Sequence, residues 1–230
     1  MRRPLVLVGA FLGAVSGSAA IAGTLVGKIE PPAQLPPRAK PVEPGFVERY
    51  ENAVMPVKPV NIMSRMVIVV EGDEKPAAPP RVQWNLVGES FSHPVIAAAA
   101  GAEVTIVNQS KTARFLFAKE DAKLLEAKPL NPSGPTTFHP PEAGKVYTIV
   151  DKDATHLVGR VVVVNTQYIA YPDAEGHFEI ENIPAGAYKL KIFYDTGWLQ
   201  RPDEAVEVNV KGKTDINPKL AAEAFGPAKK

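Results

Sequence analysis

With 230 residues, 45% of them hydrophobic, and 23 prolines, the chain can bury one or two small cores but is ill suited to a helical bundle. A net charge of +1, with no basic stripe interleaved with aromatics, argues against a nucleic-acid surface. The absence of cysteine excludes disulfides, zinc ribbons, iron–sulfur ligation, thiol nucleophiles and a lipoprotein anchor, which leaves packing as the source of stability.

The chain opens on MRRPLVLVGAFLGAVSGSAAIAG: two arginines, an apolar stretch from Leu5 to Val15, then small residues ending in Ala20-Ile21-Ala22. This is the order of an export signal with cleavage before Gly23, so residues 1–22 are read as a signal peptide. The alternative is a retained anchor, because Leu5 to Val26 is almost uncharged and barely long enough to cross a bilayer. Arg2-Arg3 also raises a twin-arginine route, which the flanking residues fit poorly. Either way the rest of the chain is expected in the periplasm or at the outer membrane, with no membrane span once the signal is removed.

Residues 23–60 form the next unit. GTLVGKI alternates and predicts an edge strand, after which prolines at 31, 32, 36, 37, 41, 44, 56 and 59 remove backbone donors and stiffen the chain. This is an arm rather than a sheet or helix. Phe46, Tyr50, Val54 and Met55 allow a helical turn or two with an apolar side, docking on the body or on a partner.

From Asn61 short strands follow one another. RMVIVVEG is an apolar run closed by glycine, RVQWNLV alternates, AEVTIVN sets Val104 and Ile106 against Thr105 and Val107, and RFLFA continues the series. VIAAAAG lies between Pro94 and Gly101, too short a span for a helix, and reads as strand and loop. KEDAKLLEAK is a short helix or an irregular excursion. Strands at this spacing predict a β-sandwich over residues 61–164.

A second sandwich is expected over 165–218, with a tail at 219–230. Phe178 and Ile180 face one way and Glu179 and Glu181 the other; after a turn at Pro184 to Gly186, Tyr188, Leu190 and Ile192 oppose Lys189 and Lys191. This predicts a half-buried antiparallel pair, repeated by Val206, Val208 and Val210. The tail KLAAEAFGPAKK allows at most one helical turn.

The stretch YPDAEGHFEIENIPAGAYKL resembles the carboxypeptidase regulatory-like module, a small transthyretin-like sandwich grouped with carbohydrate-binding-like folds. The resemblance rests on Asp173, Gly176, Phe178, Pro184, Gly186 and Tyr188, none of them catalytic, and the module carries no peptidase chemistry of its own. Upstream, VQWNLVGESFSHPVIAAAAGAEVTIVNQSKTARFLF with EAGKVYTIVDKDATHLVGRVVVV is similar to cupredoxin-like exported proteins of the methylamine-utilisation-like type. The expected fold class is therefore all-β: a cupredoxin-like sandwich running directly into the smaller one, with a proline-rich N-terminal arm.

What that second resemblance implies for metal binding is negative. The positions matching the family's copper ligands are Arg114, Asp151, Ala154 and Leu157, in place of histidine, cysteine, histidine and methionine. Blue copper needs a thiolate, two imidazoles and a weak axial thioether. A guanidinium, a carboxylate, a methyl and an isobutyl group cannot supply that set, so no cofactor is expected, and an Arg114–Asp151 pair is expected where the metal would sit. His93, His139, His156 and His177 have no HxH or HxxxH spacing and predict no other metal site.

Enzyme readings find no constellation. Ser90 and Ser92 flank His93 without a nucleophile elbow, the Asp151/Asp153 and Glu179/Glu181 pairs lie on a loop and a solvated strand face, and no phosphate-binding loop is present. Two non-catalytic classes remain. One is an envelope structural or adaptor protein that contacts a protein complex through its arm and open strand edges. The other is a carbohydrate or peptidoglycan-binding module using Trp198, Tyr194 and Tyr171 as stacking rings. A docking remnant of an electron-transfer or methylamine-type assembly is a third, weaker reading.

Overall fold

The computed structural model describes residues 22–32, 61–73, 76, 78–199 and 205–225. The signal segment before Ala22 and the arm over 33–60 lie outside the described residues. In chain order the strands are β1 (Ala22–Lys28), β2 (Met66–Glu71), β3 (Val82–Val87), β4 (Ser90–Phe91), β5 (Val95–Ala99) and β6 (Val104–Asn108). There follow β7 (Leu116–Ala118), β8 (Pro135–Phe138), β9 (Val146–Asp151), β10 (Val158–Val164) and β11 (Tyr168–Ala170). The last are β12 (His177–Pro184), β13 (Gly186–Tyr194), β14 (Gly197–Trp198), β15 (Val206–Val210) and β16 (Lys213–Ile216).

These strands make four sheets, ordered β4-β3-β6-β8, β5-β10-β9-β7, β11-β2-β13-β14 with β15 also on β13, and β12-β1-β16. The fold is all-β and consists of sandwiches. The first two sheets enclose one core around Trp84, Leu86, Ile106, Ile149 and Val161. The last two enclose a second around Leu25, Ile68, Phe178, Leu190 and Ile192. A third core, with Val67, Val69, Val95, Ala97, Val162, Val164 and Phe193, joins the β5-containing sheet to the β2-containing sheet. The molecule is thus a four-layer stack whose two middle sheets are covered on both faces.

That layering explains the sequence runs that do not alternate. On a strand, successive side chains point to opposite faces. Along β2, Ile68 and Val70 enter the second core while Val67 and Val69 enter the third. Along β5, Ile96 and Ala98 face the first core and Val95 and Ala97 the third. VIVV, VIAAA and VVVV are apolar at every position because both faces are buried. By contrast β6, with one buried face, alternates as expected, with Val104 and Ile106 buried and Thr105 and Val107 half-buried.

Three sequence expectations change. The segment 22–28 is not an edge strand: β1 lies between β12, antiparallel, and β16, parallel. Its backbone is paired on both sides, and its Leu25 side chain is fully buried on the inner face. The strand at 66–71, expected in the first sandwich, hydrogen-bonds β11 and β13 in the second. The antiparallel pair expected at Pro184–Gly186 does not form either. There β12 stays with β1 while β13 crosses to β2 and β15, so the chain arches between layers and Phe178 and Leu190 meet across the core. KEDAKLLEAK is irregular and buries Leu125, and the tail closes with a 3₁₀ turn at Ala222–Phe225.

Polar contacts pin the two sandwiches together. Asp195 Oδ1 accepts from Arg65 at 2.9 Å and from Arg160 of β10 at 3.2 Å. Just past β10, Thr166 Oγ1 donates to the Val70 carbonyl at 2.8 Å. Ala97 N–H of β5 donates to the Tyr171 hydroxyl at 3.1 Å. Within the second sandwich, Lys191 and Glu71 form an ion pair on the third-core side of β13 and β2, beside Trp198.

Candidate functional site: the closed loop end and the outer-sheet groove

The loops that the cupredoxin resemblance assigns to copper converge at one end of the first sandwich. Asn108, at the end of β6 and fully buried, organises one of them: Nδ2 donates to the Thr112 and Leu130 carbonyls, both at 2.9 Å, and Oδ1 accepts from Ser110. Arg114 then bridges to Leu130 through both backbone bonds. Asp151 ends β9 and is 2% exposed. Its Oδ1 accepts the N–H groups of Asp153 and Ala154 at 2.8 and 2.9 Å, and its Oδ2 that of Phe115 at 3.3 Å.

Arg114 reaches the β3–β4 turn instead of Asp151. Its Nη2 donates to the Gly88 carbonyl at 3.2 Å and to Glu89 Oε1 at 2.6 Å, while Glu89 Oε2 lies 3.0 Å from His156 Nε2. The expected Arg114–Asp151 pair is therefore absent, with no ion pair between them within 4.0 Å. Asp151's oxygens instead accept three backbone N–H groups, while the Arg114 Nη2 is engaged by Gly88 and Glu89. Arg114 is 7% exposed and its Nε has no partner. The Arg114 guanidinium, then His156, hold the Glu89 carboxyl below its ordinary range. Leu157 is 1% exposed within the first core and Ala154 packs against it.

This donor set does not fit copper. One of the four positions is cationic, one is a carboxylate engaged by three backbone N–H groups, and two are alkyl groups. Glu89 was not legible as a participant, because its partner Arg114 is 25 residues away and meets it only through the fold.

The three candidate stacking rings do not assemble. Trp198 packs edge-on against Phe193 in the third core, at 5.3 Å between centroids, with Lys191 over its ring. Tyr194 packs on the opposite face of the same sheet, edge-on to Phe225 at 5.1 Å. Tyr171 lies elsewhere, 5.1 Å from the His93 ring. At 37% it is one of two large apolar side chains exposed among the described residues. Burial of its hydroxyl end pushes the phenol pKa up, against the bond from Ala97.

Tyr171 borders a concavity of about 690 Å3 on the outer sheet, where Lys28, His177, Glu179, Asp215 and Asn217 also line the wall. At its rim Asp173, Glu175 and His177 place ligand atoms within 4.8 Å of one another. Asp173 is engaged in the turn itself: Oδ1 accepts from Glu175 and His177 N–H at 3.0 and 2.8 Å, and Oδ2 is 3.3 Å from His177 Nδ1. These bonds, the His177 N–H first, hold its carboxyl below the usual range. Gly176 makes the turn possible, with φ +89° and the Ile29 carbonyl 2.5 Å from where a Cβ would stand.

Residues 143–216 match the family described as Polysaccharide lyase family 4, domain II. No curated protein matches the chain. Among solved structures, a purple cupredoxin from Nitrosopumilus maritimus is similar at 19% identity, over 36% of this chain and 98% of that one, with a TM-score of 0.32. Amicyanin from Paracoccus versutus is similar at 18% identity, over 42% of this chain and 96% of that one, also with a TM-score of 0.32. No helix among the described residues is long and apolar enough to cross a membrane.

Proposed function

We propose that the protein is an exported, non-catalytic adaptor of the cell envelope, built on a redox-silent cupredoxin-like sandwich joined to a carboxypeptidase regulatory-like module. The observation that carries this reading is the closed loop end, where Asp151 holds backbone, Arg114 holds Glu89, and Leu157 lies in the core. No soft ligand is left to accept an electron-carrying metal. A shared third core makes the two sandwiches a stiff body, suited to holding partners at fixed spacing. The arm, residues 33–60, is the segment we assign to the partner.

The test is crosslinking in the cell envelope with the full chain and with a chain in which residues 33–59 are replaced by a glycine-serine linker. A defined protein complex recovered with the first and lost with the second is expected. No complex, or one retained without the arm, refutes the reading. The family description of residues 143–216 favours a second reading, a glycan-binding module.

A further inference from the structure

The glycan reading lacks a site, since Trp198 and Tyr194 are packed on opposite faces of one sheet. The outermost sheet supplies one. Its register sets Glu179, Val26 and Asp215 side by side across β12, β1 and β16, and Lys28 beside His177 in the next row. Lys28 N–H donates to Asn217 Oδ1 at 3.0 Å, which completes that row. Alternation puts all six on the solvent face, because Leu25, Phe178 and Ile180 fill the other. Tyr171 stands beside these rows.

We propose that this groove binds a neutral oligosaccharide, an inference that rests on the glycan reading and gives it a place. Glu179 and Asp215 are two strand spacings apart, about 10 Å, which is room for a sugar ring lying on Val26 with hydroxyls reaching both carboxylates. A sugar hydroxyl both donates and accepts, and the lining offers the Glu179 carboxylate, the Lys28 ammonium and the free oxygen of Asp215, whose Oδ1 accepts from Asn217 Nδ2 at 3.1 Å. Glu179 and the Lys28 ammonium have no ion-pair or hydrogen-bond partner among the described residues, so both are available to a ligand. Asp173, Glu179 and Asp215 together repel a polyanion.

The test is calorimetric titration of the full chain, purified from the exported fraction, with hexamers of glucose and of N-acetylglucosamine, with polygalacturonate and with a lysine decapeptide. Saturable binding of a neutral hexamer is expected, weakened at least about tenfold by Glu179→Ala and by Asp215→Ala. Both positions are exposed, so melting temperature is expected to hold; Glu179→Gln, which keeps the shape, replaces the alanine if it falls. Neutral binding that neither variant weakens overturns the site. Binding of polygalacturonate alone overturns the neutral class and leaves the glycan reading standing. Binding of the lysine peptide alone, or of nothing, overturns both.

Discussion

A methyl group added at Gly159 would lie 2.4 Å from the Trp84 ring and 2.6 Å from Phe91, inside a stack whose centroids are 4.0 Å apart. Neither ring can retreat from a filled core, so Gly159→Ala is expected to cost about 2 kcal/mol in urea denaturation. Asp151 has a different kind of importance. Its carboxylate satisfies three buried or half-buried backbone N–H groups, so Asp151→Ala is expected to cost about 2 kcal/mol, and Asp151→Asn less, because an amide oxygen remains. Glu89 gives a pH signature. Its pKa is lowered in the folded protein by Arg114 and then His156, so its stabilisation is full above its ordinary value of 4.5 and is lost as pH falls through the lowered value. The melting-temperature gap between the wild type and Glu89→Gln should therefore shrink as pH falls below 4.5; a gap that widens there contradicts the pairing.

Many of the strands were legible from alternation or from short apolar runs, and strand partners were not. β6 and β12 read correctly because each buries one face, and VIVV and VVVV read as strands but gave no sign of two-sided burial by separate cores. β1 and β12 pair across some 150 residues of chain, and no local pattern in GTLVGKI specifies that partner. The glycine and proline at Pro184–Gly186 look the same whether a strand turns back beside its neighbour or arches to the facing sheet. The same ambiguity covered Lys191, which alternation placed on a solvated face with Lys189 and which is 8% exposed in the structure. Its ion pair with Glu71 ties β13 to β2 within a nearly dry layer. Glu71→Ala is expected to cost about 2 kcal/mol by stranding the ammonium, and the double change Glu71→Leu with Lys191→Met to recover most of it in chemical denaturation. Equal losses from the single and double changes would show that packing, not charge, dominates there.

As a whole the molecule stacks three cores on four sheets, and the middle core joins the two sandwiches face to face. Trp84 sits in the first core and Trp198 against the third, so tryptophan fluorescence and far-ultraviolet circular dichroism of the unaltered chain should melt in one coincident transition. Separated transitions would mean that Val67, Val69, Val162 and Val164 do not couple the halves. Arg114, Asp151, Ala154 and Leu157 were singled out one by one through the resemblance, but the network around Arg114 depends on Glu89 and His156, brought in by the fold. The most direct test of a redox-silent scaffold is titration of the purified full chain with Cu(I), Cu(II) and Zn(II), followed by absorbance and melting temperature. We predict no charge-transfer band and no stabilisation; a stoichiometric rise in melting temperature that disappears in Asp151→Ala or His156→Ala would place a working metal centre at this loop end and contradict the account.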